Sequence, residues 1–297
     1  MIELGPPTPV PGVETAVTQA ARRSQQPPWR LMLRRPTFIV GAVILLFWVF
    51  CAVFGSTIAP HNPLEQQLLA VNAPPSGAHL FGTDQLGRDV LSRVLAGSRW
   101  ILLIAAAATV LGTLLGTALG LAMGYLGGVL DILVGRVVEA VLALPIVIVA
   151  FLFIVALGAS PPTVILVIGL VFTPLIARTV RAGVLVESQL DYLSSARLLG
   201  EKPAQIMFTE ILPNVVPVIL VEFTVRLGYA IFAVATLSVL GLGIQPPTPD
   251  WGADVNANYG VLPAGYWWET LFPALAIASL IVAVNLVTDS IEQVLAS

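Results

Sequence analysis

The sequence predicts an all-α, polytopic membrane protein with six transmembrane helices, on three observations. Hydrophobic residues make up 57% of the chain and charged residues only 10%, against about a quarter charged in an ordinary soluble domain. Apolar runs long enough to cross a hydrocarbon core of about 30 Å recur along it. The few Lys and Arg residues gather mostly between those runs. At 297 residues the chain accommodates several spans and their loops, but not a further soluble catalytic domain of usual size. A net charge of −3 offers no basic field for nucleic acid. The single cysteine, Cys51, lies inside an apolar run and has no intrachain disulfide partner.

Residues 1–35 are rich in Pro, Gln, Thr and Ala, lack apolar periodicity, and are expected to form a disordered cytoplasmic tail. Its arginines, Arg22, Arg23, Arg30, Arg34 and Arg35, precede FIVGAVILLFWVFCAVF, Phe38 to Phe54. That run exceeds the roughly 7–15-residue apolar core of a signal peptide, so 36–60 is expected to be a retained first transmembrane helix. Residues 61–100 are expected to form an external loop, and 101–297 a core of five further spans containing a cytoplasmic loop at 184–213. In GTLLGTALGLAMG the glycines at 112, 116, 120 and 124 fall on one helix face, where another helix can approach closely. The uncharged stretch from Ala140 to Ala177 is broken by GASPPT, 158–163, which divides it into two spans. An apolar run from Asn214 to Leu240 is interrupted only by Glu222 and Arg226, and the last extends from Thr270 to Thr288. The spans then fall at roughly 37–59, 101–123, 141–158, 163–183, 214–240 and 271–290. With both termini cytoplasmic, ten of the fourteen cations lie inside, Arg88, Arg93 and Arg99 lie outside, and Arg226 is within the membrane.

The polar connector SSARLLGEKPAQIMFTEILPN begins at Ser194. Upstream, Ser188 can cap a helix with Asp191 in its first turn; Gly200 suits the helix end, and Pro203 the start of a second short helix toward Ile211. Tyr192, Ala196 and Leu199 share a face beside small Ser195, a face that needs a cover. In the membrane, Glu222 and Arg226 are four residues apart and can pair, which offsets the cost of either charge alone in hydrocarbon. They are candidates for the translocation path or gate, or a structural pair between helices. His61 and His79 are far apart in the chain and read as ordinary loop residues; no metal site is expected. Tyr259, Tyr266, Trp267 and Trp268 read as an interfacial belt. No GxxxxGK[ST] phosphate loop is present.

The stretch DYLSSARLLG, ten intervening residues and then ILPN resembles the cytoplasmic coupling loop of ATP-binding-cassette importer permeases. The family's usual Glu-Ala-Ala is Ser194-Ser195-Ala196 here, so Ala196, Gly200 and Ile211-Leu212-Pro213 coincide. FGTDQLGRDVLSRVLAGSR, Phe81 to Arg99, is similar to the external signature of C-type permease subunits of dipeptide, oligopeptide and nickel importers. GLGIQPPTPDWG, Gly241 to Gly252, resembles their later external loop. Within the signature, Phe81, Gly82, Thr83, Asp84, Gly87, Arg88 and Asp89 are the motif residues. Thr83 or Asp84 is expected to cap a short helix in the outer interface, with Asp89 four residues before Arg93 and a polar face in water.

The resemblance implies the type I importer permease fold in a bacterial cell membrane. It also implies a second, B-type permease subunit, two cytoplasmic ATPase subunits that bind ATP and Mg, and an extracytoplasmic solute-binding protein. This chain is then non-catalytic and binds no cofactor itself. Asp191, Tyr192, Ser194, Ser195, Ala196, Leu199, Gly200, Ile211, Leu212 and Pro213 are its candidate coupling residues. The substrate implied is a dipeptide or oligopeptide, with nickel or haem as alternatives. A self-sufficient secondary transporter would call for an internal inverted repeat, which is not visible in the sequence.

Overall fold

The computed structural model describes residues 32–33 and 35–295, so the expected tail lies almost wholly outside the described residues. Helix α1 spans Pro36–Ile58, opening on a proline whose missing N–H costs nothing in a first turn. Then come α2 (Val90–Leu126), α3 (Gly128–Leu142), α4 (Ile146–Leu157), α5 (Pro161–Glu187) and the short α6 (Asp191–Leu198). Pro203–Gln205 and one π-helical turn, Ile206–Ile211, lead without a break into α7 (Leu212–Val239). Helices α8 (Trp251–Asn258) and α9 (Trp268–Leu295) complete the chain.

Among the described residues, five helices are long and apolar enough to cross a membrane: α1, α2, α5, α7 with its lead-in, and α9. The remaining predicted span, drawn over roughly 141–158, is the 12-residue α4, which at 1.5 Å per residue is only about 18 Å long. Pro145 is the reason. It cannot donate to a preceding turn and its ring would collide with the carbonyl four residues back, so α3 stops at Leu142 and α4 restarts on the Pro145 carbonyl. The break at 158–163 is as the sequence predicts: Gly158 leaves α4 with φ of 87° and Ser160 caps α5.

The core is built on α2 against α5. Gly112, Gly116, Gly120 and Gly124 are buried in that contact, and a Cβ at Gly116 would lie 2.6 Å from Ile176 Cβ. At Gly120 it would lie 2.7 Å from Val180 Cβ. The absent side chains let the two backbones close together, and Ile104, Ala105, Ala108, Ile168, Ile176, Val180 and Val184 fill the seam. Helix α1 buries only Gly41, Trp48, Cys51 and Gly55; Val43, Leu46, Phe47 and Val53 point outward, as lipid-facing side chains do.

The 61–100 segment departs from expectation. No separate helix forms over 81–89: α2 begins at Val90 and runs straight on for 37 residues. Its cap is Asp89, whose side chain accepts from Ser92 N, and not Thr83 or Asp84. The expected wet polar face is dry, with Thr83, Asp84, Arg88, Asp89 and Arg93 all buried. Their charges are covered because each has a partner in the fold, which lowers the cost of leaving water.

Candidate functional site

The connector after α5 stands at one end of the bundle. Ser188 does not open α6 but closes α5, and α6 starts at Asp191. Gly200, at φ of 80°, reverses the chain. Its N–H donates to Arg197 O at 3.1 Å and Glu201 N–H to Ala196 O at 3.3 Å, the paired bonds of a Schellman ending. Two faces result. Leu193 and Ala196 turn inward with Ile206 and Ile211, all buried in the hydrophobic core, whereas Leu198 and Leu199 are 89% and 81% exposed. Ala196 and Leu199 therefore do not share an outward face as predicted, because Ala196 is needed as a small residue where α6 meets its own chain. Ser194 and Asp191 are exposed; the side chain of Ser195 lies outside the described residues.

A polar clasp holds α6 to the adjoining helices. The Tyr192 hydroxyl donates to Glu187, and Asn214 Nδ2 donates to Glu187 Oε1 at 3.0 Å and to the Tyr192 oxygen at 2.9 Å. Burial, then the neighbouring Glu187 carboxylate, pushes the Tyr192 phenol up, so it remains a donor. Arg197 lies over the Tyr125 ring, 5.2 Å from its centroid, which ties α6 to the end of α2. Leu212 and Pro213 enter α7 at its first turn. The second helix expected after Pro203 is thus not separate: from Pro203 the chain runs as unbroken helix into α7, and the non-helical residues 199–202 join it to α6.

Midway along α7, Arg226 Nε and Nη2 both approach Glu222 Oε1 at 2.6 Å. Glu222 is buried, and Arg226 also sits over the Tyr229 ring at 5.5 Å. Beside this face, Val225, Tyr229 and Phe232 form a groove with Asn285, Asp289 and Glu292 of α9.

The other end carries the 81–89 motif, folded as a compact turn. Asp84 Oδ1 accepts from Leu86 N and Arg88 N, each at 2.9 Å, and its Oδ2 from Arg88 Nε at 2.7 Å. Gly87, with φ of 71°, faces Gln67, whose carbonyl oxygen would lie 2.1 Å from any Cβ there. Gly82 lies against Trp268, whose indole N–H donates to Thr83 O at 3.1 Å, and Phe81 stacks on Phe272. Trp268 is thereby a buried packing residue and not part of an exposed belt; Trp267 and Tyr259 are exposed.

Sequence reasoning missed two long-range pairs. Arg93 bonds not to Asp89 but to Asp254 Oδ1, from Nε at 3.0 Å and Nη2 at 2.5 Å, joining α2 to α8. Burial pushes the Asp254 carboxyl up, against the pull of Arg93. Arg181 holds Asp131 by two bonds of 2.5 and 2.6 Å, joining α5 to α3, and keeps that carboxyl below its usual range. The signal for the first was the scarcity of cations in the segments read as external, Arg88, Arg93 and Arg99, beside the carboxylates of PDWGAD.

Residues 116–297, more than half of the chain, match the family model for the inner membrane component of binding-protein-dependent transport systems. The chain belongs to that family. Residues 26–75 match a second model, the N-terminal transmembrane domain of oligopeptide transport permease C. The dipeptide transport system permease protein DppC of Escherichia coli K12 is 40% identical over 90% of this chain and 91% of its own length. The Bacillus subtilis protein of the same name is 35% identical over 91% of this chain and 84% of its own. The di/tripeptide permease DppC of Pseudomonas aeruginosa is 34% identical over 90% of each chain. The chain is thus a multi-pass membrane component of an ATP-binding-cassette transport system.

Proposed function

We propose that this permease is the C-type transmembrane subunit of an ATP-driven peptide importer. With a B-type permease it forms the translocation path, and α6 docks on one of two cytoplasmic ATPase subunits, which bind ATP and Mg. A solute-binding protein delivers substrate to the end bearing the 81–89 motif, which is extracytoplasmic; both termini are cytoplasmic. The carrying observation is the α6 tip. Leu198 and Leu199 project from a polar loop, while Leu193 and Ala196 on the opposite side anchor the same helix to the protein's hydrophobic core. An element with a free apolar tip and an opposite side packed into the bundle can pass a displacement from a partner into α7. A peptide substrate is supported by the names of the relatives, which are dipeptide permeases over nine-tenths of this chain.

Uptake of a labelled dipeptide into cells lacking their own peptide permeases, with the four-subunit importer and its binding protein restored, tests the reading. Unlabelled dipeptide should compete, and nickel chelates and haem should not. Leu198→Glu with Leu199→Glu should leave insertion and pairing with the sister permease intact while abolishing uptake and co-purification of the ATPases. Wild-type uptake in that variant would remove α6 as the coupling element.

A further inference from the structure

Three side chains that the transport reading does not use converge at the head of α2. Asp89 is 3% exposed, and its Oδ2 accepts from Ser92 N at 2.8 Å and Ser92 Oγ at 2.6 Å, which fixes the carboxylate plane. Its Oδ1 is left facing two imidazoles, with His79 Nδ1 at 2.9 Å and His61 Nδ1 at 3.7 Å. The rings are 4.7 Å apart between centroids, and one donor atom from each of the three residues lies within 4.8 Å of the others. The backbone holds them there: His61 N donates to Ser92 Oγ at 3.1 Å, and Ser76 and His79 bond each other through the backbone at 2.8 Å. The nearby arginines are committed elsewhere, Arg88 to Asp84 and Arg93 to Asp254.

We propose that His61, His79 and Asp89 form a binding site for a divalent transition-metal ion of the zinc class, at the end of the bundle opposite α6. The hydrogen-bond inventory supports this. His79 is 8% exposed and satisfied by Asp89, but His61 Nδ1 is buried with no partner, since 3.7 Å is too long for a hydrogen bond. An ion bound to all three satisfies that nitrogen. Metal–ligand bonds of about 2.0–2.2 Å in tetrahedral geometry separate donor atoms by roughly 3.3 Å, between the two distances found. Two imidazoles and one carboxylate select zinc or its neighbours over magnesium and calcium, which take oxygen ligands. His61 borders a cleft of about 570 Å³ walled also by Ser56, Asn62 and Arg99, so an ion and a fourth, water ligand have a route in. The bound ion would clamp the 59–64 and 76–84 segments onto the cap of α2. The spacing of the two histidines hid the site, because their shared partner is Asp89, an aspartate the sequence assigned to a different role.

The test uses the full-length permease, purified with its sister subunit and with affinity tags removed. Zinc titrated by competition with a chromophoric chelator should bind once per chain and raise the thermal midpoint; magnesium should do neither. Cobalt(II) should give the visible absorption of a tetrahedral site. Asp89 also caps α2, so its replacement can unfold the segment; His61→Ala, at a partly exposed position, is the cleaner variant. It should weaken zinc binding by more than about 100-fold, beyond the loss of an outer-shell partner, and abolish the cobalt spectrum while leaving the metal-free midpoint unchanged. Zinc binding equal in wild type and in both His61→Ala and His79→Ala, or no zinc binding by the wild type, would overturn the proposal and leave a hydrogen-bonded cluster only.

Discussion

Glu222 and Arg226 stand one turn apart on α7, where each would be costly alone. The pair is closed at 2.6 Å with Glu222 buried, so the charges are satisfied by each other before any substrate arrives. Removing one partner leaves the other uncompensated, a loss of about 3–5 kcal/mol in a fully buried pair and less where water reaches the arginine. Glu222→Gln or Arg226→Gln alone is expected to lower the yield of assembled permease on size-exclusion chromatography several-fold, and the double variant to recover much of it. Additive losses would show that the two act separately. Asp250 gives a prediction of opposite character. It caps α8, accepting from Ala253 N at 2.8 Å and Ser238 Oγ at 3.3 Å, and burial raises its carboxyl from 3.8 to about 6. The neighbouring Asp254 carboxylate adds to the shift. The folded state therefore favours the protonated acid. Below about pH 4 both states are protonated and no cost arises; from there the unfolded chain ionises first, and the cost grows until about pH 6. Asp250→Asn keeps an acceptor for the cap and removes the titration. The thermal midpoint of the wild type should fall more between pH 4.5 and 7 than that of the variant, and parallel curves would count against a raised Asp250.

At the scale of elements, hydropathy was a good guide wherever a helix meets lipid or a glycine face. The stripe at 112, 116, 120 and 124 was legible because four-residue spacing is a property of one helix, and α5 fills it as expected. Gly116→Leu is expected to separate α2 from α5 and leave little extractable folded protein, since its Cβ alone would lie 2.6 Å from Ile176 Cβ. Gly135→Leu on α3, where the nearest atom is Met123 Cε at 3.9 Å, should be tolerated in the same expression assay. Equal yields would mean that α2 and α5 can part without loss. What escaped the sequence were features set by partners far along the chain. Arg93 was read with Asp89, four residues away, because local spacing is all one helix displays, yet its partner Asp254 is 161 positions distant. The buried charged turn at 81–89 was mistaken for a wet amphipathic surface for a different reason, since its pairs are local, Asp84 with Arg88 and Asp89 with Ser92 and His79: polar side chains in a sequence do not announce that the fold will pair them. Ala196 shows the converse error, a small residue read as part of a face awaiting a cover when its own core required it.

For the whole molecule, the helices place their two polar ends on opposite sides. Helix α2 carries the chain from the Asp89 cap to Leu126 over 37 residues, about 55 Å at 1.5 Å per residue. Gly124 of α2 packs against Val184 of α5, and α6 follows three residues after α5, so α6 lies beside the far end of α2. The α8 segment, bonded to Arg93, lies with the near end. If α6 faces the cytoplasm, then Ser76 and Asn256, both exposed, must face outward together. That coupling makes orientation testable with few probes. In a Cys51→Ser background, a membrane-impermeant thiol reagent added to intact spheroplasts should label Ser76→Cys and Asn256→Cys but not Ser194→Cys. The last should react only after the membrane is permeabilised. Because Ser194 is exposed on α6 while Cys51 is buried, silence at Ser194 in sealed cells followed by reaction on lysis reports sidedness and not inaccessibility. Labelling of Ser194→Cys from outside, with Ser76→Cys protected, would invert the molecule, place the α6 tip away from any cytoplasmic ATPase, and end the coupling assignment along with the orientation.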